Sequence, residues 1–203
     1  MRNDQKALAE IYSQIITESN GRKIIEGPVD LRFLNLTELP EWLADVEVGG
    51  KFSCSFNRLT TLKGAPKSVG GGFYCMRNRL TTLQGGPKTV GGSFYCGGNR
   101  LTTLKGAPET VGSFTCSVNR LTTLQGGPKT VGGDFYCDVN NLKSLQGGPD
   151  TIGGAFFCSF NKLTTLQGAP KSVGRGFYCN DNTVEFTKED VRAVSNVGGS
   201  IIG

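Results

Sequence analysis

Histidine is absent from the 203-residue sequence, which also contains only two methionines and one tryptophan. Without imidazole there is no Ser-His or Cys-His pair for nucleophilic catalysis and no histidine ligand for a metal. The sequence also lacks a long apolar run, a C-x-x-C pair and a G-x-x-x-x-G-K-[ST] loop. These absences argue against a membrane-spanning helix, a zinc motif and a P-loop. We therefore expect a protein that is not an enzyme and that needs neither a cofactor nor a metal.

One phrase recurs seven times at a nearly constant spacing. Its cysteines are 21 residues apart, with a single interval of 20, and each follows a phenylalanine and precedes an asparagine at fixed distances. Self-similarity at this period is the signature of a stacked repeat rather than of a globule with one irregular core. The cysteines are Cys54, Cys75, Cys96, Cys116, Cys137, Cys158 and Cys179.

The shortest repeat indicates which family this phrase resembles. The stretch Val111-Gly-Ser-Phe114-Thr-Cys116-Ser-Val-Asn119-Arg-Leu121 matches L-x-x-L-x-L-x-x-N-x-L position by position. Residues 48–184 therefore resemble the leucine-rich repeat family, in the short form of 20–21 residues that bacteria and bacteriophages encode. The other full repeats insert one residue between valine and phenylalanine. We expect glycine to accommodate this insertion with a positive φ.

The resemblance implies a leucine-rich repeat solenoid with a parallel β-sheet on its concave face. Glycine and proline in the recurring segment L-T-T-L-(Q/K)-G-(A/G)-P exclude a regular helix there. The return side should therefore be extended and rich in turns. Capping α-helices are expected at both ends, because a solenoid otherwise exposes its core. We expect a single domain over residues 1–203, with the repeats at 48–184.

The N-terminal part, residues 1–47, is predicted to hold a capping helix and a degenerate first repeat. Asn3 or Asp4 can cap a helix that runs through about Glu18, with one apolar face at helical spacing. Capping the core is one interpretation of this helix, and docking a partner is the other.

The C-terminal part, residues 185–203, is predicted to hold a second capping helix and a closing strand. Thr187 and Asp190 resemble a capping box, and Val191 and Val194 share one helix face. The last residues repeat the V-G-G-x-F phrase with isoleucine for phenylalanine, which predicts a final strand.

The recurring cysteines and asparagines are predicted to have structural roles. Phenylalanine and cysteine lie two residues apart in a short strand and so share a face, which the family places inside. A free cysteine packs as a small hydrophobe. An odd number of cysteines argues against a disulfide framework, and the absence of histidine argues against a metal site. Stacked asparagines can bond neighbouring backbones as a ladder, the alternative being a ligand contact.

The residues between each phenylalanine and cysteine, and just beyond the cysteine, are predicted to form a binding surface. Outward tyrosines are of no use to a core, whereas tyrosine, methionine and arginine are enriched at protein interfaces. The alternative is that these rings only stack with their neighbours along the sheet. The candidate partner-binding residues are Tyr74, Tyr95, Tyr136, Phe157, Tyr178, Met76, Arg77 and Asp138.

The net charge of +5 is distributed unevenly along the chain. Residues 49–179 contain 15 basic and 4 acidic residues, a net charge of +11, whereas the segments before and after them carry −4 and −2. Part of the excess forms a basic stripe just after the asparagines, which is either a solvated edge that limits aggregation or a surface for an anionic partner. The basic stripe consists of Arg58, Arg79, Arg100, Arg120 and Lys162, with Asn141 in register.

Together these features predict a non-catalytic module that binds a protein with an acidic surface on its tyrosine-rich concave sheet. The resemblance implies a cytoplasmic bacterial or bacteriophage protein, and for a phage protein the inhibition of a host defence or metabolic protein in the host cytoplasm. Reduced cysteines fit that compartment. The alternative is a protein that binds single-stranded nucleic acid, with bases on the tyrosines and phosphates on the basic stripe. No membrane partner is expected.

Overall fold

The computed structural model describes residues 3–203, with side chains from residue 5 onward, and its largest element is a parallel sheet of nine two-residue strands. Consecutive repeats contribute consecutive strands, so Phe114 pairs with Phe94 on one side and with Phe135 on the other. We call this the main sheet. Its strands are Val29–Asp30, Phe52–Ser53, Phe73–Tyr74, Phe94–Tyr95, Phe114–Thr115, Phe135–Tyr136, Phe156–Phe157, Phe177–Tyr178 and Ile201–Ile202.

A second strand precedes the main-sheet strand in each repeat, a ladder that the sequence did not predict. Together with the antiparallel strand Ile16–Thr17, these strands form two five-stranded sheets rather than one. The break between the two sheets coincides with the repeat that is one residue shorter. The first sheet contains Ile16–Thr17, Lys23–Ile25, Val46–Val48, Ser68–Val69 and Thr89–Val90, and the second contains Thr110–Val111, Thr130–Val131, Thr151–Ile152, Ser172–Val173 and Asn196–Val197.

Helices occur near the two ends of the described chain. They are an α-helix at Asn3–Tyr12, a 3-10 helix at Glu41–Asp45 and a short α-helix at Lys188–Arg192. From residue 46 to residue 187 the chain forms strands and turns without a helix, as the sequence predicted for the return side. No helix within residues 3–203 has the length and apolar character that crossing a bilayer requires.

The first helix is shorter than predicted. It ends at Tyr12 rather than near Glu18, because the strand Ile16–Thr17 pairs antiparallel with the strand that follows it. The amphipathic pattern in the sequence therefore extends beyond Tyr12, where strand pairing ends the helix. The cap predicted at Asn3 or Asp4 lies outside the described side chains.

Both α-helices contribute to the core. Ile11 of the first and Val191 of the second are buried, whereas Val194, expected on the same face as Val191, is exposed. The side-chain oxygen of Thr187 accepts a hydrogen bond from the Asp190 backbone N–H (3.2 Å), and the Asp190 carboxylate accepts one from the Thr187 backbone N–H (2.8 Å). The capping box predicted at these two residues is confirmed.

The core is built from identical residues stacked along the solenoid. The phenylalanine of each full repeat is fully buried, and rings of neighbouring repeats have centroids 5.0–5.6 Å apart. This distance follows the spacing of adjacent strands. All seven cysteines are buried free thiols on the same inward face. The predicted packing role of the cysteines is confirmed.

Each recurring asparagine bridges two repeats. The side-chain amide of Asn119 donates to the carbonyl oxygens of Cys96 (3.2 Å) in the preceding repeat and of Cys116 (3.0 Å) in its own. Its side-chain oxygen accepts from the backbone N–H of Leu101 (2.9 Å). Equivalent bonds recur from Asn57 to Asn182, so the predicted ladder is confirmed.

Glycines between valine and phenylalanine permit close contact between backbones. A β-carbon on Gly91 would lie 2.2 Å from the carbonyl oxygen of Gly70 in the preceding repeat. The expectation of a positive φ at this insertion was wrong, since the glycines of the V-G-G segments have none. Positive values belong instead to the glycine of the turn before proline, as at Gly85 with φ 85°.

Removal of one ladder asparagine should destabilise the solenoid more than removal of a neighbouring charge. Asn119→Ala leaves buried backbone groups without partners, at a cost of about 1–3 kcal/mol. The exposed Arg120→Ala should stay within about 0.5 kcal/mol of wild type. Urea unfolding of both variants measures the difference, and a larger loss for Arg120→Ala would contradict the structure.

The buried thiols should make the protein sensitive to alkali. Burial raises the pKa of Cys54 to about 12 and that of Cys179 to about 11, against about 8.5 for an exposed thiol. Because the folded pKa lies above the unfolded one, this contribution to stability is complete below about pH 8.5 and is lost progressively as the pH rises from there to the folded values. One pH unit above 8.5, each thiol lowers the free energy of unfolding by about 1.4 kcal/mol.

For seven such thiols the sum is on the order of 10 kcal/mol, which is comparable to the whole stability of a typical domain. We therefore expect cooperative unfolding near pH 9.5–10, followed by the fluorescence of the single tryptophan. Replacing one buried cysteine, as in Cys116→Ala, should lower the slope of the free energy of unfolding against pH. The decrease should correspond to about one proton fewer released on unfolding. A free energy of unfolding that is constant from pH 8 to 10 would show that the thiols are not buried.

Candidate recognition surface

The outward side chains of the main sheet line one surface, which we call the open face. Between each buried phenylalanine and cysteine one side chain points away from the core, and in five repeats it is aromatic. Thr115 interrupts this series between its second and third members. The structure thus brings the five aromatic candidates into one half-buried aromatic row, consisting of Tyr74, Tyr95, Tyr136, Phe157 and Tyr178.

The aromatic row consists of two groups with different geometry. Tyr74 and Tyr95 meet edge to face, with centroids 5.2 Å apart and an interplanar angle of 81°. Tyr136, Phe157 and Tyr178 form a parallel stack with centroid distances of 4.4 and 4.6 Å. Within this stack the ring faces cover one another. A planar ligand could enter between them only by separating the rings.

At Tyr74, Tyr136 and Tyr178 the ring lies against the residue two positions earlier in the chain. The ring of Tyr74 lies back over Gly72, where a β-carbon would come within 2.7 Å of the tyrosine hydroxyl. At Tyr136 the equivalent residue is Asp134, and the phenol donates a hydrogen bond to its carboxylate (3.3 Å). Burial raises the pKa of Tyr136, and the negative charge of Asp134 adds to this effect. The rings are therefore held in place before any partner arrives.

The residues just beyond the cysteines form a second outward row. Met76 and Asp138, both predicted as partner-binding residues, are partly exposed there beside the aromatic row. Ser55 and Ser117, at the same repeat position, are buried instead. The hydroxyl of Ser117 donates to the Asp138 carboxylate (2.6 Å) and orients it. Of this row, only the longer side chains reach the surface.

A third row was missed by sequence reasoning, apart from Arg77. It occupies the position directly before each ladder asparagine, where every backbone has a positive φ between 52° and 66°. Most of its members are large, apolar and exposed, such as Phe160 at 57% and Val118 at 55%. Arg77 lies over the ring of Phe56, 5.8 Å from its centroid. This left-handed row comprises Phe56, Arg77, Gly98, Val118, Val139, Phe160 and Asp181, together with Phe33, which has the equivalent place in the first repeat but precedes Leu34 rather than an asparagine.

The left-handed row is energetically unfavourable for its own residues. A positive φ is rare for any residue with a β-carbon and is an outlier for a β-branched one such as Val118 or Val139. The turn lets the next asparagine enter the core, while the Val118 N–H still donates to the Asp138 carbonyl (3.1 Å). Glycine or asparagine would adopt this conformation at lower cost. The available signal in the sequence was phenylalanine or valine directly before four of the recurring asparagines, outside the predicted inward positions.

A solved structure of a Shigella effector LRR domain is similar to this chain, with a TM-score of 0.66. The two are 18% identical, and the match covers 98% of this chain and 87% of that one. This chain folds as a leucine-rich-repeat-like solenoid. At this identity the similarity concerns the fold alone. No protein-family model matches the sequence, and no curated protein is significantly similar to it.

The basic stripe of the solenoid lies apart from the open face. Its members follow the ladder asparagines, and the Arg79 N–H donates to the carbonyl of Leu59 in the preceding repeat (2.8 Å), so the side chains stack in register. Within the described chain, none of the five basic side chains forms an ion pair. The aromatic row and the basic stripe are therefore separated by the buried asparagine ladder.

The open face and the left-handed row carry both signs of charge. By strand register they hold three cations and four carboxylates, so the excess charge of the repeats lies mainly elsewhere on the surface. The cations are Arg32, Lys51 and Arg77, and the carboxylates are those of Asp30, Asp134, Asp138 and Asp181.

Relief of the positive φ at Val118 should stabilise the solenoid, although the substitution is from an apolar to a polar residue. We expect Val118→Asn to raise the free energy of unfolding by about 1 kcal/mol, because asparagine tolerates this conformation. Val184→Asn is the matched control, since Val184 is also exposed but has no positive φ. Urea unfolding should place the control within about 0.5 kcal/mol of wild type. A loss of stability in Val118→Asn would show that its conformation is not strained.

Proposed function

We propose that this solenoid is a non-catalytic module that recognises another protein through its open face and left-handed row. The observation that carries the proposal is the exposure of Val118, Val139 and Phe160 in three consecutive repeats, in a backbone conformation that costs energy. Contiguous exposed apolar side chains on a soluble protein mark interaction sites. Retained backbone strain also clusters at such sites.

The aromatic row supports the same proposal. Aromatic side chains, methionine and arginine are enriched in the buried centres of protein interfaces, where charged residues are few. Tyr95 and Tyr136 lie in the middle of the row, and each is half-buried and held by its neighbours. Side chains that are already ordered lose little entropy when a partner covers them. The open face thus combines apolar area with a fixed shape.

The basic repeat body favours a second candidate function, which is binding of single-stranded nucleic acid. Three observations favour the protein partner over it. The stacked rings from Tyr136 to Tyr178 leave no room for an inserted base. Asp134 and Asp138 lie beside this stack and would repel phosphate. The basic stripe lies beyond the asparagine ladder rather than along the rings.

On the sequence resemblance, we further propose that the partner is a cytoplasmic bacterial protein, such as a defence or metabolic protein that a phage protein inhibits. The basic stripe would then face acidic groups at the margin of that interface. Charges at an interface margin mainly accelerate association and lose their effect as salt rises. In this proposal the aromatic row and the left-handed row determine the affinity, and the basic stripe determines the rate of association.

Substitutions in the middle of the aromatic row should abolish most of the binding without affecting the fold. The protein is used to capture partners from a bacterial lysate with and without nuclease treatment, and the partner found is then titrated. Tyr95→Ala and Tyr136→Ala should each weaken binding by about 2 kcal/mol or more, roughly thirty-fold. Thermal melts should change little, because these rings point away from the core.

The control for this experiment is Lys129→Glu, a charge reversal on an exposed residue outside the open face. It should leave the affinity nearly unchanged, whereas Arg79→Glu should slow association at low salt only. If Lys129→Glu loses binding while both tyrosine variants bind as wild type, the interface does not lie on the open face. Loss of capture after nuclease treatment, with a steep dependence of affinity on salt, would favour nucleic acid.

A further inference from the structure

The open face has a depression at its N-terminal end. Its volume is about 280 Å³, and it lies where Ser53 occupies the position that is aromatic in most other repeats. Ser53 and Ser55 are buried and form its floor, while Tyr74 and Met76 form one wall. Sites for drug-sized ligands span about 300–1,000 Å³. This depression therefore has room for a single residue.

The wall of the depression is apolar on one side. Phe56 of the left-handed row joins Tyr74 and Met76 there. A methionine sulfur makes favourable contacts with aromatic rings and adapts to their shape. The apolar wall is therefore suited to an aromatic or long aliphatic side chain.

The opposite side is positively charged. Arg32 holds the Asp30 carboxylate through both Nε and Nη2, at 2.6–3.0 Å, which keeps the pKa of Asp30 low. Lys51 also lines the depression, and it forms no ion pair with any residue that the structure describes. Two cations thus face one carboxylate that is already bonded. The remaining positive charge favours an anion next to the apolar wall.

We propose that this depression binds the C-terminal residue of a partner polypeptide, with its apolar side chain against Tyr74 and Met76 and its free carboxylate on Lys51. A C-terminal residue is favoured because it carries an apolar side chain and a carboxylate only two bonds apart. In an internal segment these groups belong to different residues, which a space of this size does not hold together. The proposal rests on the proposed function, since it names how a partner would be anchored on the same open face.

The test uses the tetrapeptide acetyl-Gly-Gly-Ser-Phe with a free carboxylate, and the same peptide with a C-terminal amide. Met76 is one of only two methionines, so its 13C-labelled methyl signal reports occupancy of the depression directly. We expect a saturable shift of this signal with the free carboxylate. The amide should bind at least ten-fold more weakly, because a charge-assisted hydrogen bond to Lys51 is lost.

Two variants and a control locate the site. Ser53→Tyr places in the depression the side chain that other repeats carry there, and it should abolish binding of the peptide. Thr115→Tyr is the matched control, because it makes a similar change at the other gap in the aromatic row and should bind as wild type. Lys51→Gln, an exposed change that leaves the core intact, should bring the two peptides to nearly equal affinity.

The proposal is overturned if the Met76 signal does not shift, if the amide binds as well as the acid, or if Ser53→Tyr binds as wild type. Equal loss in Thr115→Tyr would also overturn it, since the site would then lie elsewhere on the face. Failure here remains distinct from failure of the proposed function. The latter is judged by the response of the captured partner to Tyr95→Ala and Tyr136→Ala, neither of which lines the depression.

Discussion

The asparagine ladder is the interaction on which the rest of the solenoid depends. Strands of two residues are far shorter than the usual five or six, and they cannot fix the register of a repeat without further bonds. Each asparagine adds bonds to both its own and the preceding repeat, as Asn119 does at Cys116 and Cys96. Because these bonds are buried and need a backbone partner at each end, they hold every repeat in one position relative to the last.

The left-handed row runs directly beside that ladder. Each asparagine enters the core directly after a residue with a positive φ, and the same backbone turn recurs at Phe33 in the first repeat, where Leu34 follows. The side chain of the residue with the positive φ is directed outward, as the exposure of Val118 and Phe160 shows. The recurring turn thus produces a line of exposed positions. Filling these positions with valine and phenylalanine rather than glycine lowers stability and supplies apolar surface.

Much of the fold could be predicted from the spacing of the repeat, because a periodic core repeats the same environment at each position. The inward cysteines, the asparagine bonds and the helix-free return side follow from it. The end of the first helix at Tyr12 could not be predicted in this way, since the pairing of Ile16–Thr17 with the next strand overrides an amphipathic pattern. The positive φ before each asparagine could not be predicted either, because phenylalanine and valine rarely adopt this backbone conformation. The aromatic row was predicted, whereas the depression at Ser53 depends on side chains from three repeats.

The ladder also determines how the gene for such a protein can change. The side-chain amide of each asparagine bonds within its own repeat and to the repeat before it, and the backbone N–H of Asn119 donates to Val139 in the next repeat. The phenylalanine rings stack on those of the adjacent repeats. A duplicated or deleted block of 21 residues, the common repeat length, would therefore meet the same neighbours on both sides as the original. Length can vary by whole repeats through unequal recombination, without any new contact having to evolve. The open face would grow or shrink in the same steps, so the size of the surface offered to a partner is itself open to selection.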